Sequence, residues 1–239
     1  MKFTDVLKRK LQNNFEEKAC TIVFLGDSVT QGCFELYQKN DGCIETYFDP
    51  ANAYHKKLAE IFAVLCPSVP INIINSGISG DNAVHACARI ERDVLCYSPD
   101  LVVVCFGLND AGRGIEGLED YKKSLAGIFK KLKGTEVIFM TPNMMNTELS
   151  CHLKNDAEKE IARNCMKLQN EGVMDAYMAA AREVCIENNV TICDCYAKWK
   201  RLSELGMDTT ELLANKINHP KRDMNWLFAF SLAETILGM

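Results

Sequence analysis

The chain reads as an α/β protein built on a parallel sheet with helices on both faces. Two observations predict this. Short apolar, β-branched-rich runs of strand length recur at positions 20–25, 71–74, 101–106, 136–140 and 190–193. Between them lie longer stretches with apolar residues at helical spacing, and such alternation of strand and helix implies parallel pairing.

A short amphipathic helix opens the chain, followed by the run at 20–25, which Gly26 stops. Helices are expected near 51–65, 82–95, 118–132, 156–187 with a break at Gly172, and 223–237. The third is the clearest. Leu118, Tyr121, Leu125, Ile128, Phe129 and Leu132 line one face, acids lead, lysines trail and Gly134 ends it. The connection from Gly32 to Pro50 reads as a long loop, with Phe34, Tyr37, Tyr47 and Phe48 around the turn Asn40-Asp41-Gly42. That loop and the segment at 141–146 are expected to shape a binding pocket.

Hydrophobic residues make up 48% and charged residues 25% of the 239 positions, an ordinary balance for one globular domain spanning 1–239. A net charge of −5, with no basic run interleaved with aromatics, argues against nucleic acid and anionic membrane surfaces as partners. The first ten residues carry no signal-peptide core, and the run at 101–106 is far too short to cross a bilayer, so a soluble, cytoplasmic protein is expected. Oligomeric state is not legible. The twelve cysteines are dispersed and form no C-x-x-C pair, which suits core filling at Cys20, Cys105, Cys185 and Cys193. Cys33, after the nucleophile loop, is expected to be exposed to the site. Four histidines without H-E-x-x-H argue for no metal, and the absence of a glycine-rich phosphate fingerprint argues for no cofactor.

Four segments carry the chemistry. Gly26-Asp27-Ser28-Val29-Thr30-Gln31-Gly32 follows the first run and sets a serine between glycines, a placement suited to a nucleophile at the carboxyl edge of an open sheet. Asn75-Ser76-Gly77-Ile78-Ser79-Gly80-Asp81-Asn82 follows the second run, and Gly107-Leu108-Asn109-Asp110 the third. Asn218-His219-Pro220 precedes the last helix. In this order, from Thr21 to about Phe230, the blocks resemble those of the SGNH hydrolases, the superfamily of GDSL-type esterases and lipases. The resemblance implies a flavodoxin-like three-layer α/β/α sandwich with a five-stranded parallel sheet. It also places the four named residues of the superfamily on Ser28, Gly80, Asn109 and His219.

Those assignments make chemical sense. A serine hydroxyl needs a base to take its proton, and imidazole titrates near neutrality, so His219 fits that role. An oxyanion needs preorganised donors: the N–H groups of Ser28 and Gly80 and the side-chain NH₂ of Asn109 supply them. The expected activity is an esterase that cleaves a small ester or O-acyl group, such as an acetylated carbohydrate, through an acyl-enzyme on Ser28. Acyl transfer would use the same residues, and a non-catalytic small-ligand module on a flavodoxin-like sheet is the reading from another class. The family usually carries an aspartate three residues before its histidine, whereas this chain has Lys216. A lysine side chain cannot accept from imidazole. The main-chain carbonyl of Lys216 is the favoured substitute; Asp27, Asp208, Glu211 and Asp223 are the carboxylate alternatives.

Overall fold

The computed structural model describes residues 2–239. Its strands are β1 (Cys20–Gly26), β2 (Cys33–Gln38), β3 (Ile44–Phe48), β4 (Ile71–Gly77), β5 (Leu101–Cys105), β6 (Glu136–Met140) and β7 (Thr191–Cys193). Five of them form a parallel sheet in the order β4-β1-β5-β6-β7. After β1 the chain adds β4 on one side, then crosses to add β5 on the other. That reversal is the switch point where open α/β sheets of this flavodoxin-like order bind ligands.

The α-helices are α1 (Phe3–Gln12), α2 (Ser28–Gln31), α3 (Tyr54–Leu65), α4 (Ala83–Asp93), α5 (Leu108–Ala111), α6 (Leu118–Lys131), α7 (Asp156–Asn170), α8 (Val173–Glu187), α9 (Cys195–Glu204) and α10 (Asn225–Leu237). One mutually packed group contains α1, α3, α9 and α10; another contains α4, α6, α7 and α8, which makes the three-layer sandwich. Every residue of β1 and β5 is buried, which is why these runs read as continuously apolar. Edge strand β4 leaves Asn72 and Asn75 exposed.

The sandwich and all five sheet strands match the expected runs to within three residues at each end. The break at Gly172 is also present, in the left-handed conformation at φ +78°. Two local expectations are corrected. The stretch from Gly32 to Pro50 is an antiparallel hairpin of β2 and β3 rather than a loop. Its alternating Phe34-Glu35-Leu36-Tyr37 and Ile44-Glu45-Thr46-Tyr47, about a turn at Asp41-Gly42, carry the hairpin signal. Helix α9 was not expected, although Asp194 caps it and Tyr196 and Trp199 anchor it in the core.

Eight of the twelve free cysteines are buried, including the four assigned to the core. Cys33 is a further correction. It is 2% exposed, and burial pushes its thiol up to about 11. Among the described residues no helix is long and apolar enough to span a membrane.

Candidate active site

Gly26, the last residue of β1, lies between Gly77 at the end of β4 and Cys105 at the end of β5. Three loops therefore leave the sheet at one level, and their next few residues include Ser28, Gly80 and Asn109. Ser28 opens α2, which Asp27 caps by accepting from the Val29 N–H at 3.0 Å. The β4 loop is laced to this turn: Ile78 N–H donates to Gly26 O at 3.1 Å, and Ser79 N–H to Gln31 Oε1 at 2.6 Å. A β-carbon at Gly77 would lie 2.3 Å from the Gln31 nitrogen, so the approach requires glycine. Gly80 has φ +79°, a region that other residues enter at a cost.

Asn109, in α5, donates one Nδ2 hydrogen to Asp81 O at 2.8 Å. Its second hydrogen remains free for a ligand. Beneath these loops the buried Arg89 guanidinium joins the scaffold, donating to Gly26 O at 3.2 Å, Ser76 O at 2.8 Å and Asp81 Oδ2 at 2.8 Å. Asp27 and Asp110 lie in the same region, and burial pushes their carboxyls up to about 7 and about 6. Each has one oxygen satisfied by a backbone N–H, of Val29 and Ala83 respectively, and one without a partner.

His219 comes from a loop outside the sheet, closed by the bridge between Leu213 and Pro220. Asn215 organises it, because its Oδ1 accepts from the N–H groups of Ile217, Asn218 and His219 at 3.0, 2.9 and 2.9 Å. Lys216 takes φ +58° in this tight turn. The buried segment at 141–146 braces the loop: Asn143 Nδ2 donates to Asn218 O, and Asn146 N–H to Ile217 O, both at 2.8 Å. It does not line the cavity, contrary to expectation.

His219 Nε2 lies 3.0 Å from Ser28 Oγ, and Nδ1 lies 2.9 Å from the main-chain oxygen of Phe34. A carbonyl only accepts, so Nδ1 carries the hydrogen and Nε2 presents its lone pair to the hydroxyl. Burial lowers the imidazole to about 4, opposed by the Phe34 carbonyl and by the Glu35 charge, which keeps the ring neutral at pH 7. The expected acceptor, the Lys216 carbonyl, is thus replaced by one from β2. None of the carboxylate alternatives pairs with the ring. Asp27 caps α2, Asp208 accepts from the Glu211 N–H, and Glu211 binds the Lys216 ammonium at 2.5 Å.

Ser28, Gly80, Asn109 and His219 all line one small cavity of ≈ 190 Å³. Leu36, Ile44 and Thr46 of the hairpin, with Ile161 of α7 and Ile217, form its wall. A larger cavity of ≈ 590 Å³ lies at the opposite, amino-terminal ends of β6 and β7, lined by Lys2, Glu136 and Asn188 among others. It brings together no nucleophile and base. The wall formed by Leu36, Ile44 and Thr46 comes from the Gly32–Pro50 segment expected to shape the pocket, whereas sequence reasoning missed the roles of the Phe34 carbonyl, Arg89 and Asn215, of which Asn215 had a readable signal, an Asx turn before the histidine.

The fold is shared with solved esterases. Over 90% of this chain and 93% of the other, it superposes on Axe2, an acetylxylan esterase from Geobacillus stearothermophilus, with TM-score 0.66 and 21% identity. It also matches a two-domain esterase active on acetylated mannans, over 98% of this chain and 52% of that one, with TM-score 0.69 and 18% identity. In sequence, an acetylxylan esterase of G. stearothermophilus is 22% identical over 192 residues, covering 76% of this chain and 78% of the relative. The model of the GDSL-like lipase/acylhydrolase family matches residues 24–227. The chain belongs to that family, and it is a hydrolase acting on ester bonds.

Proposed function

We propose that this hydrolase is a serine esterase that removes acetyl groups from an O-acetylated carbohydrate, with Ser28 as nucleophile and His219 as base. The observation that carries the reading is the Ser28 Oγ to His219 Nε2 contact of 3.0 Å, with the opposite ring nitrogen held on a carbonyl. Ser28 Oγ attacks the ester carbonyl while its proton passes to Nε2. The N–H groups of Ser28 and Gly80 and the Nδ2 of Asn109 hold the resulting oxyanion. Collapse expels the sugar oxygen, which takes the proton from the imidazolium and leaves an acetyl-enzyme. Water, deprotonated by the same nitrogen, then releases acetate.

Two features support the substrate. A cavity of ≈ 190 Å³ with Leu36 and Ile44 in its wall suits a small acyl group. The similar proteins named above act on acetylated xylan and acetylated mannans. The test is a series of p-nitrophenyl esters of increasing chain length, run beside acetylated xylo- and manno-oligosaccharides with Ser28→Ala as blank. Acetyl should be preferred, acetate should be released from the oligosaccharides, and a fluorophosphonate should add one adduct, mapping to Ser28. An unlabelled, fully active protein would remove Ser28 from the mechanism, whereas a preference for long chains would overturn the substrate.

A further inference from the structure

The acceptor that orients His219 belongs to a hairpin, not to the main sheet. Strands β2 and β3 pair only with each other, and their register slips between Cys33 and Leu36, right where Phe34 offers its carbonyl. A two-stranded hairpin is marginally stable by itself. Something must fix its carbonyl against the imidazole, since an error of about 1 Å in such a contact costs on the order of a hundred-fold in rate.

Arg222, three residues past His219, lies where it can do so. Its guanidinium forks onto the Glu35 carboxylate of β2, with Nη1 to Oε1 at 2.6 Å and Nη2 to Oε2 at 3.1 Å. Its Nε donates to Asp49 Oδ2, just past β3, at 2.7 Å. The same group lies over the Phe34 ring, 4.4 Å from its centroid, and 5.8 Å from that of Tyr47. One side chain on the histidine segment therefore grips both strands of the hairpin and the acceptor residue itself. A lysine could not form this planar fork.

Resting on the reading of His219 as base, we propose that Arg222 is a positioning residue, which clamps the hairpin to the histidine segment and holds the Phe34 carbonyl on Nδ1. The clamp supplies through the backbone the orientation that family members with an upstream carboxylate obtain from a side chain. It also leaves the Glu35 carboxylate near the ring, where its charge favours the imidazolium formed during the reaction.

The experiment compares wild type, His219→Ala, Arg222→Met, Arg222→Lys, Glu35→Gln and Asp49→Asn on p-nitrophenyl acetate. Arg222→Met should lower kcat by about ten- to a hundred-fold with KM within about three-fold. Fluorophosphonate labelling of Ser28 should slow in proportion, and the proton resonance of Nδ1–H should broaden. Arg222→Lys should recover only part of kcat. Glu35→Gln and Asp49→Asn should show smaller losses of the same kind, and they decide the matter if Arg222→Met does not fold. Combining Glu35→Gln with Arg222→Met should add little, because both break one contact. If His219→Ala is inactive while Arg222→Met, or both milder variants, keep wild-type kcat and labelling rate, the clamp is overturned. An active His219→Ala would instead overturn the reading of the base on which the clamp rests.

Discussion

Ser28, Gly80 and Asn109 follow strand ends that lie side by side at Gly26, Gly77 and Cys105, whereas His219 follows no strand of the sheet. The first three are held by the cooperative ladder of β1, β4 and β5 and by Arg89, whose side chain is only 8% exposed. The histidine side depends on separate contacts: three N–H groups on Asn215, the bracing amides of Asn143 and Asn146, and Arg222, whose side chain is 31% exposed. Both halves use an arginine as a tie, in different surroundings. Arg89 joins main-chain carbonyls inside the core, where an unpaired partner would be costly. Arg222 joins the hairpin to the histidine segment nearer the surface, where losing it should affect alignment more than folding.

Substitutions in the two halves should differ in size of effect. The largest effect is expected on the sheet side, at the proposed oxyanion donor. Asn109→Ala should lower kcat by about a hundred-fold or more with KM nearly unchanged, because the donor acts on charge that exists only in the transition state. A loss confined to KM would make Asn109 a substrate-binding residue and separate it from Ser28 and Gly80.

Next comes the burial of the proposed base. With its imidazole lowered to about 4, His219 stays neutral as pH falls, and activity should be lost only as pH passes through about 4. At pH 5 an ordinary imidazole would retain about 3% of the neutral form and this one about 90%, roughly a thirty-fold difference. The acidic limb of kcat/KM reads this directly. A limb between pH 6 and 7 would mean that the histidine loop is open to water, and the contrast between the two halves would sharpen.

Lys216 is expected to matter least. Its ammonium is turned to Glu211, and its carbonyl is not the acceptor for His219, so Lys216→Ala should keep kcat within about two-fold. Its φ of +58° offers no preference to lysine over alanine. A loss comparable to that of Arg222→Met would place Lys216 in the orientation of the base after all.

By itself the sequence determined the sheet side. Buried strands must be continuously apolar, and the loops leaving them need glycine where backbones approach, as at Gly77, or where φ is positive, as at Gly80, so both the runs and these glycine-bearing blocks were legible. His219 was legible as a residue type in a motif. What held it was not, because the acceptor is a main-chain carbonyl, a group every residue carries. That Phe34 rather than Lys216 presents it depends on where a hairpin 185 residues away in sequence folds back, and on the fork from Arg222 to Glu35 that keeps it there. Residue identity encodes which side chains can react; only the tertiary structure decides which backbone oxygen reaches a given nitrogen, since that is fixed by the packing of distant segments rather than by any local pattern.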